Sequence, residues 1–156
     1  ARAFGLPLRE VPLDAQLRLD LTAMLREVRG AGLVFLCNPN NPTGHVHSKE
    51  SVQAFIRDAL AADPEVVILV DEAYHEFVDD PAYASMLPLI ATQPRVFVTR
   101  TFSKIYGLAG LRVGYAFGQP ATLARMEKFR LSNGIGALAQ VAALASLADT
   151  AQMQQE

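Results

Sequence analysis

The chain has 156 residues, 51% hydrophobic, 19% charged and 8% aromatic, which is enough apolar material for one domain with a buried core. Fourteen lysines and arginines against sixteen acids leave a net charge of -2 with no block of either sign, which argues against a nucleic-acid or anionic-membrane surface. The lone cysteine, Cys37, allows no internal disulfide, so a reducing, cytoplasmic compartment is expected, and no apolar run reaches the roughly 20 residues of a membrane span.

The first residues, Ala1-Arg2-Ala3-Phe4-Gly5, lack an initiator methionine. The chain is therefore expected to be cut from a longer one, with any targeting segment upstream. Leu21, Leu25 and Val28 recur at helical spacing before Gly30 and predict a short helix. Gly32 to Cys37 is the first of four continuous apolar runs, followed by Val66 to Val70, Arg95 to Thr99 and Val113 to Phe117. Runs without alternation predict strands buried on both faces, as in a parallel sheet covered by helices. A longer helix is predicted from Ser48 to Ala62, with Ser48 as N-cap, Glu50 in the first turn and Asp63-Pro64 as the stop. Its inward face is Val52, Phe55, Ile56, Ala59 and Leu60. Two further helices are predicted, from about Ala121 to Leu131 and from about Leu138 to Asp149. The apolar residues from Leu138 to Leu147 are expected to form a packing face, and Gln152 to Glu156 a polar end. This alternation predicts a doubly wound α/β architecture, in which ligands sit at the carboxyl ends of the strands.

The segment after each run is therefore the place to look for chemistry. The first run leads into Asn38-Pro39-Asn40-Asn41-Pro42-Thr43-Gly44. Two prolines fix φ and Gly44 permits a left-handed turn, so this is a rigid loop presenting amide side chains. The second leads into Asp71-Glu72-Ala73-Tyr74. An acid at the end of an apolar strand is poorly solvated and is expected to have a cationic partner. The third leads into Thr101-Phe102-Ser103-Lys104, a lysine among hydroxyl, aromatic and small apolar residues, and Arg112 stands just before the fourth. Singly, these read as a turn, a helix cap, a snorkelling lysine and an ion-pair arginine. Together they supply an amine for an aldehyde, an anion for a pyridine nitrogen, donors for a phenolic oxygen, and hydroxyls with a guanidinium for a phosphate.

Through Asn38 to Gly44, Asp71 to Phe77, Thr101 to Tyr115 and, more loosely, Phe129 to Leu147, the sequence resembles fold-type I pyridoxal-phosphate aminotransferases of class I/II. Its Tyr74-His75-Glu76-Phe77 stretch fits the histidinol-phosphate branch. The resemblance implies a three-layer α/β/α sandwich with a mainly parallel sheet, of which residues 1–156 form the central part of the large cofactor-binding domain of an aspartate-aminotransferase-like fold. The N-terminal segment and the C-terminal small domain are expected to be missing. It implies pyridoxal 5'-phosphate as cofactor and a homodimer for the full-length protein. The partners would be an amino donor and a 2-oxo acid acceptor such as 2-oxoglutarate, with no nucleic acid or membrane involved.

By the same resemblance, Lys104 forms the Schiff base and shuttles the proton, Asp71 holds the pyridine nitrogen, and Tyr74 with Asn41 bonds the phenolic oxygen. Ser103, Arg112 and Thr101 bind the phosphate. Arg130-Leu131-Ser132-Asn133 stands where the family often has Pro-Tyr-Asn, which leaves the substrate open. A related decarboxylase or lyase, and a non-catalytic sensor domain of a transcription regulator, are the alternatives. His45 and His47 lack a third ligand for a metal, and none is assigned. His75 reads as a rim residue, Glu72, Asp79 and Asp80 as solvated or structural acids, and Cys37 as a small core residue.

Overall fold

The computed structural model describes residues 2–131 and 133–153. Ser132 of the Arg130–Asn133 run and residues 154–156 of the polar end lie outside them. In chain order the main elements are α1 (Leu21–Arg26), β1 (Leu33–Cys37), α2 (Lys49–Ala62), β2 (Val67–Asp71), β3 (Val96–Thr101), β4 (Gly114–Phe117), α3 (Pro120–Glu127), α4 (Ala137–Ala148) and α5 (Thr150–Met153). The strands lie in the order β1-β2-β3-β4, the first three parallel and β4 antiparallel to β3. The four apolar runs thus become the four strands of one mixed sheet. No helix among the described residues is long and apolar enough to cross a membrane.

Capping sets the helices. Asp20 accepts the Ala23 N–H to start α1, and the Ser48 hydroxyl accepts the Ser51 N–H to start α2. Val52, Phe55, Ile56 and Ala59 of α2 are buried against Leu36, Ile68, Val70, Val96 and Val98, which share one face of the sheet. Met86 and Ile90 complete this core. A second, smaller core gathers Phe102 and Val113 beneath Ala139 and Ala143 of α4.

Three expectations change. Burial on both faces fails for β1, whose Leu33 and Phe35 are 55% and 56% exposed because no described helix packs over them. The packing face expected of α4 is turned outward: Leu138, Val141, Leu144 and Leu147 are exposed, and the helix meets the core through its small residues instead. Helix α3 also stops at Glu127, short of Leu131. The chain beyond it tightens into i to i+3 turns, Phe129 N–H to Met126 and Arg130 N–H to Glu127, while Phe129 and Leu131 find no core.

The segment between β1 and α2 is fastened at His47, whose ring Nε2–H donates to the Leu19 carbonyl at 3.0 Å. Burial holds this imidazole below its ordinary value of 6.5. A neutral ring of this kind stabilises the fold above the unfolded value, and that contribution is lost as pH falls through it. His47→Gln keeps a donor but no titration. Its thermal midpoint is predicted to fall less steeply than that of the unaltered protein between about pH 7 and about pH 5. Equal slopes would contradict this account.

Candidate active site

The carboxyl ends of β1, β2 and β3 open on one edge of the sheet, and the residues singled out in the sequence line it. Asn38, immediately after β1, is 2% exposed and clamps the loop beyond it. Its side-chain oxygen accepts the His47 N–H at 2.8 Å and its amide donates to the His47 carbonyl at 3.1 Å. Inside the loop, Asn40 Nδ2 donates to Thr43 Oγ1 at 2.8 Å, and Gly44 takes φ +70° with its N–H on the Asn40 carbonyl. This is the rigid, left-handed turn that the Pro/Gly pattern predicts. It carries Asn41 to Tyr74, where the amide donates to the phenolic oxygen at 3.0 Å. An open cleft of about 420 Å³ lies beside this pair, between the loop and the turn of Phe77 to Asp80.

Asp71 ends β2 and is half-buried. Its Oδ1 accepts the Ala73 N–H and the Thr99 hydroxyl, both at 3.2 Å. None of the hydrogen bonds among the described residues uses Oδ2, so that oxygen is the one presented. The cationic partner expected of Asp71 is absent from these contacts and belongs to its neighbour. Glu72, 1% exposed, is paired with Arg100, a residue that carries no motif of its own. Alternation sends Asp71 and Glu72 to opposite faces, and the register sets Thr99 beside the first and Arg100 behind it. Glu72 is therefore the structural acid expected, whereas Asp79 and Asp80 are exposed.

Lys104 stands on the turn after β3. Phe102 and Ile105 on either side are buried, and Gly107 and Leu108 return hydrogen bonds to Lys104 and Phe102. The exposed lysine lies with its Nζ 5.0 Å from the centre of the Tyr74 ring. Amine, phenol and amide thus form one row: Lys104, Tyr74, Asn41. Thr101 Oγ1 accepts the Ser103 N–H at 3.0 Å.

The β3–β4 pairing runs from Val98 with Phe117 to Thr101 with Gly114, and the Phe102 N–H bonds the Val113 carbonyl. Continuing that register sets Ser103 opposite Arg112 on the two emerging backbones. The approach is close enough that a Cβ on Gly114 would meet the Arg100 carbonyl at 2.9 Å. Arg112 itself adopts a left-handed conformation, φ +53° and ψ +50°, uncommon for a residue with a side chain. Its Nη1 donates to the Ala109 carbonyl at 2.6 Å.

The remaining candidates sit apart from this row. His75 turns its ring to the Tyr83 hydroxyl at 3.1 Å, and burial, aided by Arg100, pushes its pKa down. The rings of His45 and His47 meet edge to face at 4.7 Å. Cys37 is half-buried rather than in the core, with its thiol on the Pro39 carbonyl; burial pushes that thiol's pKa up. A larger concavity, about 570 Å³ between Phe97, Met126 and Phe129, lies at the amino ends of β2 and β3, away from these groups.

An α/β domain with an amine against a phenol, and an acid at the end of the strand leading to that phenol, at the carboxyl edge of parallel strands has a site of the kind that holds a small-molecule cofactor. The chain belongs to the aminotransferase class I and II family, whose sequence profile matches residues 1–156. It is 42% identical over 147 residues to a histidinol-phosphate aminotransferase of Limosilactobacillus fermentum, covering 93% of this chain and 40% of that protein. To an aromatic amino acid aminotransferase of Rhodococcus jostii it is 43% identical over 145 residues, 92% of this chain and 39% of the relative. The crystal structure of histidinol-phosphate aminotransferase from Sinorhizobium meliloti in complex with pyridoxal-5'-phosphate superposes with a TM-score of 0.86 at 35% identity. That match covers 96% of this chain and 40% of the other. The chain thus spans about 40% of the length of these relatives, and its α/β sandwich architecture is theirs.

Because Asn38 supplies both bonds to a nearly inaccessible site, Asn38→Ala is predicted to destabilise the protein by about 2–4 kcal/mol in urea unfolding. A loss below about 1 kcal/mol would mean that the loop carrying Asn41 is held by something else.

Proposed function

We propose that the protein containing this chain is a pyridoxal 5'-phosphate-dependent aminotransferase of the histidinol-phosphate or aromatic type. It would move an amino group between an amino acid or amino-phosphate and a 2-oxo acid such as 2-oxoglutarate. The observation that carries this reading is the row in which the Lys104 amine lies over the Tyr74 ring while Asn41 bonds the Tyr74 hydroxyl. Asp71 stands at the end of the same strand that leads to Tyr74.

The donor set fits the group. Asp71 has one oxygen fixed by Ala73 and Thr99 and the other free to meet a protonated ring nitrogen. Tyr74 accepts from Asn41 and keeps its own proton to give to a phenolic oxygen. Thr101, Ser103 and Arg112 offer hydroxyls and a guanidinium for a phosphate dianion. When bound, the cofactor supplies an aldehyde that captures an amino group and a ring that accepts the electron pair left on the substrate α-carbon.

In this reading Lys104 Nζ is the amine that would hold the cofactor's aldehyde and, when freed by the amino donor, would take and return the proton at the substrate α-carbon. Asp71 Oδ2 would hold the proton on the cofactor's ring nitrogen, and Tyr74, oriented by Asn41, would donate to its phenolic oxygen. Residues 1–156 then form part of the large, cofactor-binding domain. An N-terminal phosphate turn and a C-terminal small domain bearing the arginine for the substrate carboxylate belong to the full-length protein, a cytoplasmic homodimer without nucleic-acid or membrane partners.

The test is amino transfer by the full-length protein, supplied with histidinol phosphate or an aromatic amino acid and 2-oxoglutarate. Lys104→Ala is expected to abolish turnover, and Asp71→Asn to retain the cofactor while lowering the rate by about 10²-fold or more. Arg112→Ala is expected mainly to weaken cofactor retention, read by dialysis. Undiminished transfer in the Lys104 variant would overturn the assignment.

A further inference from the structure

Behind the site, on the opposite face of the sheet, lies a buried ionic cluster that the reaction does not use directly. Glu72 Oε2 receives Arg100 Nη2 at 2.9 Å, Arg100 Nε at 3.2 Å and the Ser85 hydroxyl at 2.7 Å. Its Oε1 receives the Met86 N–H at 2.7 Å, and Arg100 Nη2 also donates to Ser85 Oγ at 2.9 Å. The side chains of Glu72 and Arg100 are 1% and 14% exposed. Burying two charges costs several kcal/mol per ion, and an apolar pair of similar volume is often as stable or more so. Stability is thus a poor account of the pair.

Its position supplies a better one. Glu72 follows Asp71 and lies two residues before Tyr74, while Arg100 precedes Thr101 and lies four residues before Lys104. The pair bridges β2 and β3 where their chains part into the two turns that carry the candidate groups. We propose that Glu72 and Arg100 are positioning residues, a tie that fixes the separation of the Asp71–Tyr74 and Thr101–Lys104 turns and so sets the Lys104 amine against Tyr74. This rests on the proposed function. Ion-pair geometry is directional where apolar packing is not, so the tie holds a distance that Met–Met packing would leave loose. A displacement of about 1 Å at a reacting group can lower its rate about 10²-fold.

The experiment uses the full-length protein, limiting pyridoxal 5'-phosphate and borohydride trapping, with peptide mapping to compare Lys104 with Lys49 and Lys128. Variants are Arg100→Met, Arg100→Lys, and the double Glu72→Met/Arg100→Met, each with its thermal midpoint. The double variant matters most because it removes both charges together and leaves neither buried without its partner, and its thermal midpoint reports whether it is folded. Arg100→Met and the double variant are expected to label Lys104 about tenfold more slowly or worse. Arg100→Lys, which keeps the charge, should recover part of the loss. A purely structural pair predicts that labelling returns with stability, so a folded double variant that labels Lys104 at the unaltered rate overturns the tie alone. If the unaltered protein shows no preference for Lys104, the proposed function fails first and the tie with it.

Discussion

The pairing of β2 with β3, which sets Asp71 beside Thr99, is the constraint on which the rest of the site depends. Because side chains alternate along a strand, one register decides two things at once. On one face Thr99 bonds the Asp71 carboxylate and leaves one of its oxygens presented. On the other, Glu72 meets Arg100 in the interior. A slip of one residue would exchange these faces, leaving a buried acid without its cation and placing an arginine beside the Asp71 carboxylate in place of Thr99. The apolar residues Ile68, Val70, Val96 and Val98, packed beneath α2, lock the register by the same alternation.

From that base the two loops acquire their shapes by separate means. The Asn38–Gly44 loop is held at its base by the Asn38 amide on the His47 backbone and inside by Asn40 on the Thr43 hydroxyl, so its buried residues Asn38 and Asn40 have partners while Asn41 stays exposed at the tip. The Lys104 turn is held instead by burial of Phe102 and Ile105, with the lysine left outside. Rigid supports on both sides allow an exposed amine to have a defined neighbour, the Tyr74 ring, without being enclosed. The left-handed backbone at Arg112 is an uncommon conformation for a residue with a side chain, and continuing the β3–β4 register sets it opposite Ser103.

Much of this is legible in the sequence because strand ends can be read from apolar runs, and α/β chemistry collects at strand ends. Asn41, Asp71, Tyr74 and Lys104 all stand out that way, and the structure brings them to one edge. The ionic tie is not legible. Glu72 reads as one acid among several, and Arg100 sits inside a strand, so joining them needs the register, which periodicity does not reveal. The cation expected of Asp71 is misplaced for the same reason: it lies one residue along and one face away. For α4, composition reports apolar residues but not which face has something to pack against. Only the small side chains Ala139 and Ala143 approach the second core closely enough to be buried.

The central claim is that Lys104, Asp71 and Tyr74 address a single bound cofactor. A crystal structure of the full-length protein grown with pyridoxal 5'-phosphate tests it most directly. The account predicts continuous density from Lys104 Nζ into the cofactor, its ring nitrogen within hydrogen-bonding distance of Asp71 and its phenolic oxygen at the Tyr74 hydroxyl. Cofactor bound elsewhere, or bound here with Lys104 unattached and Asp71 facing away, would contradict it.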